Sequence, residues 1–238
     1  MADIGWIARR TLAVARREGV LGTIQRVIKY LRIAIGLPSR EAEEHRRAKE
    51  AADRAFDEAL GVDTGGTTHL FDLTIHSDNT ALGVSHIATG PAHFHNAMAA
   101  LDIDPTGFTF VDLGSGKGRC LLMAADYPFA AITGIEFAEE MHAVSLRNIE
   151  KLGDPRITNQ LGDAEQFAYP TTDLVVFMNN PFDRPLVEKI ARKIAASAEA
   201  HPRAVRVVYV NPRAPDLFSE APWRRVGSAE GAEVFGLN

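Results

Sequence analysis

The stretch FVDLGSGKGR, residues 110–119, places three glycines within five positions directly behind an apolar run. Glycine adopts positive φ without strain, and because it has no Cβ a ligand or another part of the chain can approach its backbone closely. In open α/β sheets, ligands bind outside the carboxyl ends of the strands, where a strand turns into the following helix. The stretch therefore predicts a ligand site at the end of a strand.

Two common glycine-rich sites do not fit this turn. A phosphate-binding P-loop requires glycine at the position of Val111 and serine or threonine at the position of Gly118. A dinucleotide-binding turn requires a third glycine where this chain has Arg119. What remains is an acidic residue, Asp112, followed by glycine at alternate positions.

The chain on both sides of this turn alternates between short apolar runs and helical patterns. The predicted strands are 108–113, 131–137, 156–161, 173–178 and 204–210, the predicted helices between them are 117–126, 138–152 and 185–200, and a hairpin joins 223–228 to 232–238. Short β-rich runs that alternate with helices are typical of a parallel sheet covered on both faces. The pattern predicts an α/β fold.

The N-terminal part of the chain differs in pattern and in charge. Apolar residues at helical spacing predict a helix over residues 1–37 with a basic opposite face, and a second, highly charged helix over 40–60. Residues 1–40 carry a net charge of +6, whereas the remaining 198 residues carry −11 of the overall −5. We expect the basic helix to pack on its own domain or in a homodimer; a peripheral contact with a membrane surface or an acidic partner is the alternative.

Composition excludes several classes of protein. The sequence contains no run of 18 uncharged apolar residues, so no transmembrane segment is predicted. The single cysteine, Cys120, is typical of a reducing compartment, and we expect it to be a core thiol in a cytoplasmic protein. An acidic main domain makes nucleic acid an unexpected partner.

Four motifs occur in order, each at the end of a predicted strand. They are Asp112-Leu-Gly-Ser-Gly-Lys-Gly118, Glu136 in GIEF, Gly162-Asp163-Ala164, and Asn179-Asn180-Pro181-Phe182. Together they resemble the motifs of class I S-adenosylmethionine-dependent methyltransferases, of a bacterial type without assigned substrate. The resemblance covers about residues 107–212.

The resemblance implies a Rossmann-like, mostly parallel seven-stranded sheet with helices on both faces, preceded by an N-terminal helical, loop-rich cap. We expect a helical extension over 1–60 and a methyltransferase domain over 61–238, with a cap and lid at 61–106 and the core at 107–238. It also implies S-adenosylmethionine as cofactor. The cofactor-binding residues that it implies are Asp112, Gly114, Ser115, Gly116, Gly118, Glu136, Phe137, Asp163, Ala164 and Asn179, with the ribose on Glu136 and the adenine near Asp163.

The fourth motif also resembles the N-P-P-F/Y motif of methyltransferases that modify amino nitrogens, although Asn180 stands where its first proline would be. By this resemblance Asn180 is a catalytic residue that accepts a hydrogen bond, and Pro181 and Phe182 bind substrate. The alternative is that Asn180-Pro181 only shapes the cofactor pocket. Asn211-Pro212, after the next strand, predicts a turn.

Five of the eight histidines lie between residues 69 and 95. Histidine titrates near neutral pH, so one in the predicted lid could act as a general base, and we expect His86 in that role. The pair His93 and His95 would point apart on a helix, and no metal is expected there. The prediction is methyl transfer to a nitrogen or oxygen of a small molecule or a protein side chain. The alternatives are a non-catalytic S-adenosylmethionine-binding protein and an NAD-dependent oxidoreductase.

Overall fold

The computed structural model describes residues 40–68, 73–77, 79 and 86–237. The helix predicted over residues 1–37 lies outside these residues. Residues from Ala52 to Asn238 form one compact unit. The domain boundary after residue 60 stays a prediction.

Within the described residues, the predicted helices and strands are present with small differences at their ends. The helices are α1 (Arg40–Leu60), α2 (Pro91–Ala99), α3 (Arg119–Ala124), α4 (Glu139–Leu152) and α5 (Arg184–Ala200), with a 3-10 helix at Pro215–Phe218. The strands are β1 (Thr67–Thr68), β2 (His86–Ile87), β3 (Thr109–Leu113), β4 (Ala131–Glu136), β5 (Ile157–Leu161), β6 (Leu174–Asn179), β7 (Val205–Val210), β8 (Trp223–Ala229) and β9 (Ala232–Leu237). Within the described ranges, no helix is both long enough and apolar enough to cross a membrane.

Seven strands form one sheet in the order β5-β4-β3-β6-β7-β9-β8. The first five strands of this order are parallel, and the hairpin β8–β9 extends the sheet at the β7 edge, where β9 runs antiparallel to both β7 and β8. β1 and β2 form a separate antiparallel pair. The predicted Rossmann-like, mostly parallel seven-stranded sheet is confirmed.

The two faces of the sheet bury separate apolar cores, because successive side chains of a strand point to opposite faces. In β3, Val111 and Leu113 join the core beneath α5, whereas Phe110 joins the core beneath α2 and α3. Both faces are therefore covered, and every side chain of β3 is buried. The carboxyl ends of the parallel strands are the open edge of this arrangement.

Candidate functional site

A cavity of about 320 Å³ lies at the carboxyl ends of β3, β4, β6 and β7. It is lined by nine of the residues predicted from the motifs, namely Asp112, Gly114, Ser115, Glu136, Phe137, Asn179, Asn180, Pro181 and Phe182. Gly116, Gly118, Asp163 and Ala164 are not among its lining residues. Residues from the first, second and fourth motifs thus meet in one cavity. The role of each residue in binding or catalysis stays a prediction.

The glycine turn is shaped by close contacts within the protein. Gly114 and Gly118 have φ of +78° and +85°, which other residues adopt only with strain. A Cβ on Gly114 would lie 2.6 Å from the Cβ of Pro181, and one on Gly118 would collide with the hydroxyl of Ser145. These two glycines are therefore required by the positive φ and by the packing of neighbouring elements, in addition to any ligand.

Two buried carboxyl groups line the cavity where β3 and β4 end. Glu136 accepts hydrogen bonds from the backbone N–H of Gly116 at 2.7 Å and of Ala138 at 2.9 Å. Burial raises the pKa of Glu136, and these backbone hydrogen bonds only partly offset that rise. Burial, and then the nearby Glu136 carboxylate, raise the pKa of Asp112 to about 8. A cationic ligand would relieve both groups, so this half of the cavity favours positive charge.

Asp163 holds a loop rather than lining the cavity. Its carboxylate accepts hydrogen bonds from the Ser77 hydroxyl, from the amide of Asn79 at 2.8 Å and from the backbone N–H of Glu165 at 2.8 Å. Burial alone would raise the pKa of Asp163, but these bonds outweigh it and lower the pKa. Ser77 and Asn79 of the predicted lid are thereby attached to the segment that follows β5.

A second contact attaches the same loop to the start of α4. Glu139 donates its backbone N–H to the carbonyl of Thr74 at 3.1 Å, and Ile75 forms a β-bridge with Ala138. Leu73 of this loop lines the cavity. The loop therefore covers the edge of the cavity above β4.

Asparagine amides occupy the opposite half, above β6 and β7. Asn179 donates to the hydroxyl of Thr89 at 2.8 Å and accepts a hydrogen bond from the amide of Asn211 at 2.8 Å. The side-chain oxygen of Asn180 is buried and has no hydrogen-bond partner among the described residues. A buried acceptor without a partner is costly and indicates a position where a ligand can donate a hydrogen bond.

Several cavity residues were missed from the sequence. Arg119 lines the cavity and is buried against Asp53 and Asp57. In the sequence, Arg119 is informative only because it replaces the third glycine of a dinucleotide-binding turn. Asn211 forms the predicted turn and also lines the cavity, as does Arg213. A signal for Asn211 is present in the sequence, because its Asn-Pro pair repeats Asn180-Pro181 at the end of the adjacent strand. No such signal marks Arg213.

The predicted thiol and histidines can also be placed. Cys120 is a buried core thiol as predicted, it lines the cavity, and burial raises its pKa. His93 and His95 share α2; His95 contacts the hydroxyl of Tyr127 at 2.9 Å, and Nε2 of His93 is buried without a described partner. His86 begins β2, but its side chain lies outside the described part of the chain, so its role as a base stays a prediction.

Residues 110–200 match a family model described as a methyltransferase domain. The chain contains a methyltransferase domain. The resemblance to class I S-adenosylmethionine-dependent methyltransferases is confirmed at this level, and S-adenosylmethionine is the cofactor that the domain implies. No curated protein sequence matches the chain.

Solved structures with a similar chain path include three from bacteria. The YcgJ protein of Bacillus subtilis has a TM-score of 0.41 at 18% identity, over 54% of this chain and 55% of that one. A methyltransferase of Geobacter sulfurreducens with S-adenosylhomocysteine has a TM-score of 0.40 at 22% identity, over 55% of each chain. An RNA methyltransferase of Salinibacter ruber, also with S-adenosylhomocysteine, has a TM-score of 0.44 at 21% identity, over 63% of this chain and 92% of that one. The chain spans about half the length of the first of these structures.

The strand order of the methyltransferase domain differs from that of dinucleotide-binding domains. The latter form six strands in the order 3-2-1-4-5-6. Here β9 lies between β7 and β8, so the last two strands are exchanged in position, and β9 runs antiparallel to both of its neighbours. With the missing third glycine at Arg119, this order weighs against the NAD-dependent alternative.

Proposed function

We propose that this chain transfers a methyl group from S-adenosylmethionine to a nitrogen or oxygen of a small molecule or a protein side chain. The observation that carries the proposal is the composition of the cavity of about 320 Å³ at the end of the sheet. This cavity joins the glycine turn and two buried acids on one side to an asparagine oxygen on the other that has no partner among the described residues. The half of the cavity that binds the cofactor would then face the half that binds the acceptor, so that a methyl group could pass directly from one molecule to the other.

The acidic half has the chemistry to hold the cofactor. S-adenosylmethionine carries a sulfonium and an ammonium group, and its methyl group is already activated for transfer. Asp112 and Glu136 are both buried and both line the cavity, so a bound cation would favour their ionised forms. Glu136 already accepts hydrogen bonds from Gly116 and Ala138, and the remaining lone pairs of its carboxylate would accept the ribose hydroxyls.

The amide half has the chemistry to orient an acceptor. The side-chain oxygen of Asn180, which no described residue contacts by a hydrogen bond, would accept one from an N–H or O–H group and hold that group in place. Phe182 is 4% exposed and belongs to the core beneath α5, so it forms a wall of the cavity more than a free stacking surface. Orientation in a dry cavity is the main contribution that a protein makes when the methyl donor is already reactive.

Two measurements on the purified chain test the proposal. Calorimetric titration with S-adenosylmethionine, S-adenosylhomocysteine and NAD should show binding of the first two only. Incubation with S-adenosylmethionine labelled on the methyl group, together with fractionated lysate, should place label in a small-molecule or protein fraction. A chain that binds only NAD is an oxidoreductase. A chain that binds the cofactor and labels no fraction is a non-catalytic binding protein.

The remaining parts of the proposal concern partners and location. The single cysteine supports a cytoplasmic location. The basic charge of residues 1–40 supports a homodimer contact or a peripheral contact through that segment. Nucleic acid stays outside the proposal, because the chain beyond residue 40 is acidic.

A further inference from the structure

Two Asn-Pro turns stand at the carboxyl ends of the adjacent strands β6 and β7. Asn180 precedes Pro181 and Asn211 precedes Pro212, and the two asparagines have φ of +44° and +48°. A residue before proline is normally extended, and positive φ is uncommon for residues other than glycine. Strained backbone persists where the surrounding structure requires it and is concentrated at functional sites. Both asparagines line the same cavity.

Charge is divided across this cavity. The acids Asp112 and Glu136 lie at the ends of β3 and β4, and Arg213 lies three residues beyond the end of β7. Strands are about 4.8 Å apart, so β7 is about 14 Å from β4 in this sheet order. The half that favours a cationic cofactor is therefore separated from a half that carries a cation of its own.

Arg213 differs from the other arginine of the cavity. Arg119 is neutralised by Asp53 and Asp57, with which it forms buried ion pairs. Arg213 is exposed, and no ion pair within the described ranges involves it. A guanidinium group presents paired donors that match a carboxylate or a phosphate. In the same cavity, the buried side-chain oxygen of Asn180 lacks a partner among the described residues and requires a hydrogen-bond donor.

We propose that the methyl acceptor is a small molecule that presents an N–H or O–H donor to Asn180 and an anionic group, a carboxylate or a phosphate, to Arg213. Asn180 then orients the acceptor, and Arg213 determines its specificity. This inference rests on the proposed methyl-transfer function and adds the chemical class of the acceptor. A charge-assisted bond of this kind corresponds to about a tenfold to hundredfold difference in affinity between charged and neutral acceptors.

Binding of matched probes to the protein saturated with S-adenosylhomocysteine tests the inference. The carboxylate pair is 4-aminobenzoate and 4-aminobenzamide, and the phosphate pair is adenosine monophosphate and adenosine. Within each pair only the anionic group changes, and saturation with S-adenosylhomocysteine keeps the nucleosides out of the cofactor half. The variants are Arg213→Gln and Asn180→Ala, with Arg224→Gln as the control because Arg224 is an exposed arginine of β8 that does not line the cavity.

At least one anionic probe should bind ten times more tightly than its neutral partner, and the pair that shows this identifies the carboxylate or the phosphate. Arg213→Gln should remove the difference and leave the affinity for S-adenosylhomocysteine within about twofold, whereas Arg224→Gln should change neither. Asn180→Ala should weaken both members of the pair. No preference in either pair, or a preference that survives Arg213→Gln, overturns the inference.

The remaining outcomes separate this inference from the proposed function. If Arg213→Gln weakens S-adenosylhomocysteine tenfold, the arginine binds the cofactor, and its role toward the acceptor is wrong. If S-adenosylhomocysteine binds and lysate is methylated while neither probe pair shows a preference, the proposed function stands and the anionic acceptor is wrong. If S-adenosylhomocysteine does not bind at all, the proposed function itself fails.

Discussion

Replacing Arg119 by methionine should destabilise the domain more than any exposed arginine substitution. The guanidinium of Arg119 is 2% exposed. It donates to the hydroxyl of Thr64 at 2.6 Å, to the carboxylate of Asp53, and to Asp57 at 3.3 Å. Its positive charge also lies 4.8 Å from the ring centroid of Phe56. Methionine preserves much of the apolar stem but leaves two carboxylates together without a counter-charge.

The magnitude follows from the burial of these groups. Removing one partner of a buried ion pair costs about 3–5 kcal/mol, because the other charge stays buried and unpaired. Asp53 is 8% exposed and cannot regain much hydration, whereas Asp57 is 18% exposed and recovers part of it. Asp53→Asn should cost only about 1 kcal/mol, because the oxygen acceptor remains and Arg119 still pairs with Asp57. The loss in the free energy of unfolding should therefore be severalfold larger for Arg119→Met than for Asp53→Asn.

Guanidinium chloride unfolding with linear extrapolation measures these differences. The matched control is Arg184→Met, because Arg184 pairs with Asp216 at 2.5 Å on the surface, where the two side chains are 55% and 60% exposed. An exposed pair contributes about 0–1 kcal/mol. If Arg119→Met lowers the free energy of unfolding no more than Arg184→Met does, burial does not govern the energetics of this network and the reasoning is wrong.

Three further predictions concern the cavity. The pKa of Asp112 is about 8 in the folded chain against an ordinary 3.8, so protonation of this carboxyl favours the folded state. The free energy of unfolding should therefore fall as the pH rises from about 4 to about 8, by up to about 1.4 kcal/mol per pH unit. Asp112→Asn should flatten that slope in denaturation at pH 5, 7 and 9, and an unchanged slope contradicts the assignment. Gly114→Ala should lower the melting temperature and the S-adenosylhomocysteine affinity more than Gly107→Ala does. Both glycines have positive φ, but only at Gly114 would a Cβ collide with a neighbouring residue. Equal losses would mean that backbone strain alone is the cause. Asn79→Ala removes the hydrogen bonds that the Asn79 amide donates to Asp163 and Glu165, and it should speed S-adenosylhomocysteine dissociation about fivefold in stopped-flow measurements. An unchanged rate means that the loop does not retain the ligand.

The strands of the sheet were predictable because parallel strands buried on both faces read as unbroken apolar runs. The run at 173–178 corresponds to β6 at Leu174–Asn179, and the run at 204–210 to β7 at Val205–Val210. The carboxyl ends of such strands meet at one edge, so motifs that follow them could be placed in one cavity from sequence order alone. The first, second and fourth motifs do meet in one cavity, whereas Asp163 and Ala164 of the third do not line it, and the roles of all these residues stay predictions.

Contacts between distant segments were not predictable in the same way. The role of Arg119 depends on Asp53 and Asp57, which come from a helix about sixty residues earlier and form no recognisable motif. The family resemblance implies that Asp163 lies near the adenine, which stays a prediction, and the sequence does not indicate that its carboxylate accepts hydrogen bonds from Ser77 and Asn79. Neither pairing leaves a periodic or spaced signal, because each depends on how a loop returns over the sheet.

The glycine turn is held on several sides before any ligand arrives. Gly114 packs against the fourth motif, Gly118 packs against α4, and the N–H of Gly116 is held by Glu136. The amide of Asn148 in α4 donates to the carbonyls of Lys117 at 2.9 Å and of Asp63 at 2.8 Å. A turn fixed in this way loses little conformational entropy when it binds a ligand, because most of that cost is met during folding. The glycines thus make the cavity rigid as well as accessible, and the cofactor half should bind its ligand with little change in backbone structure.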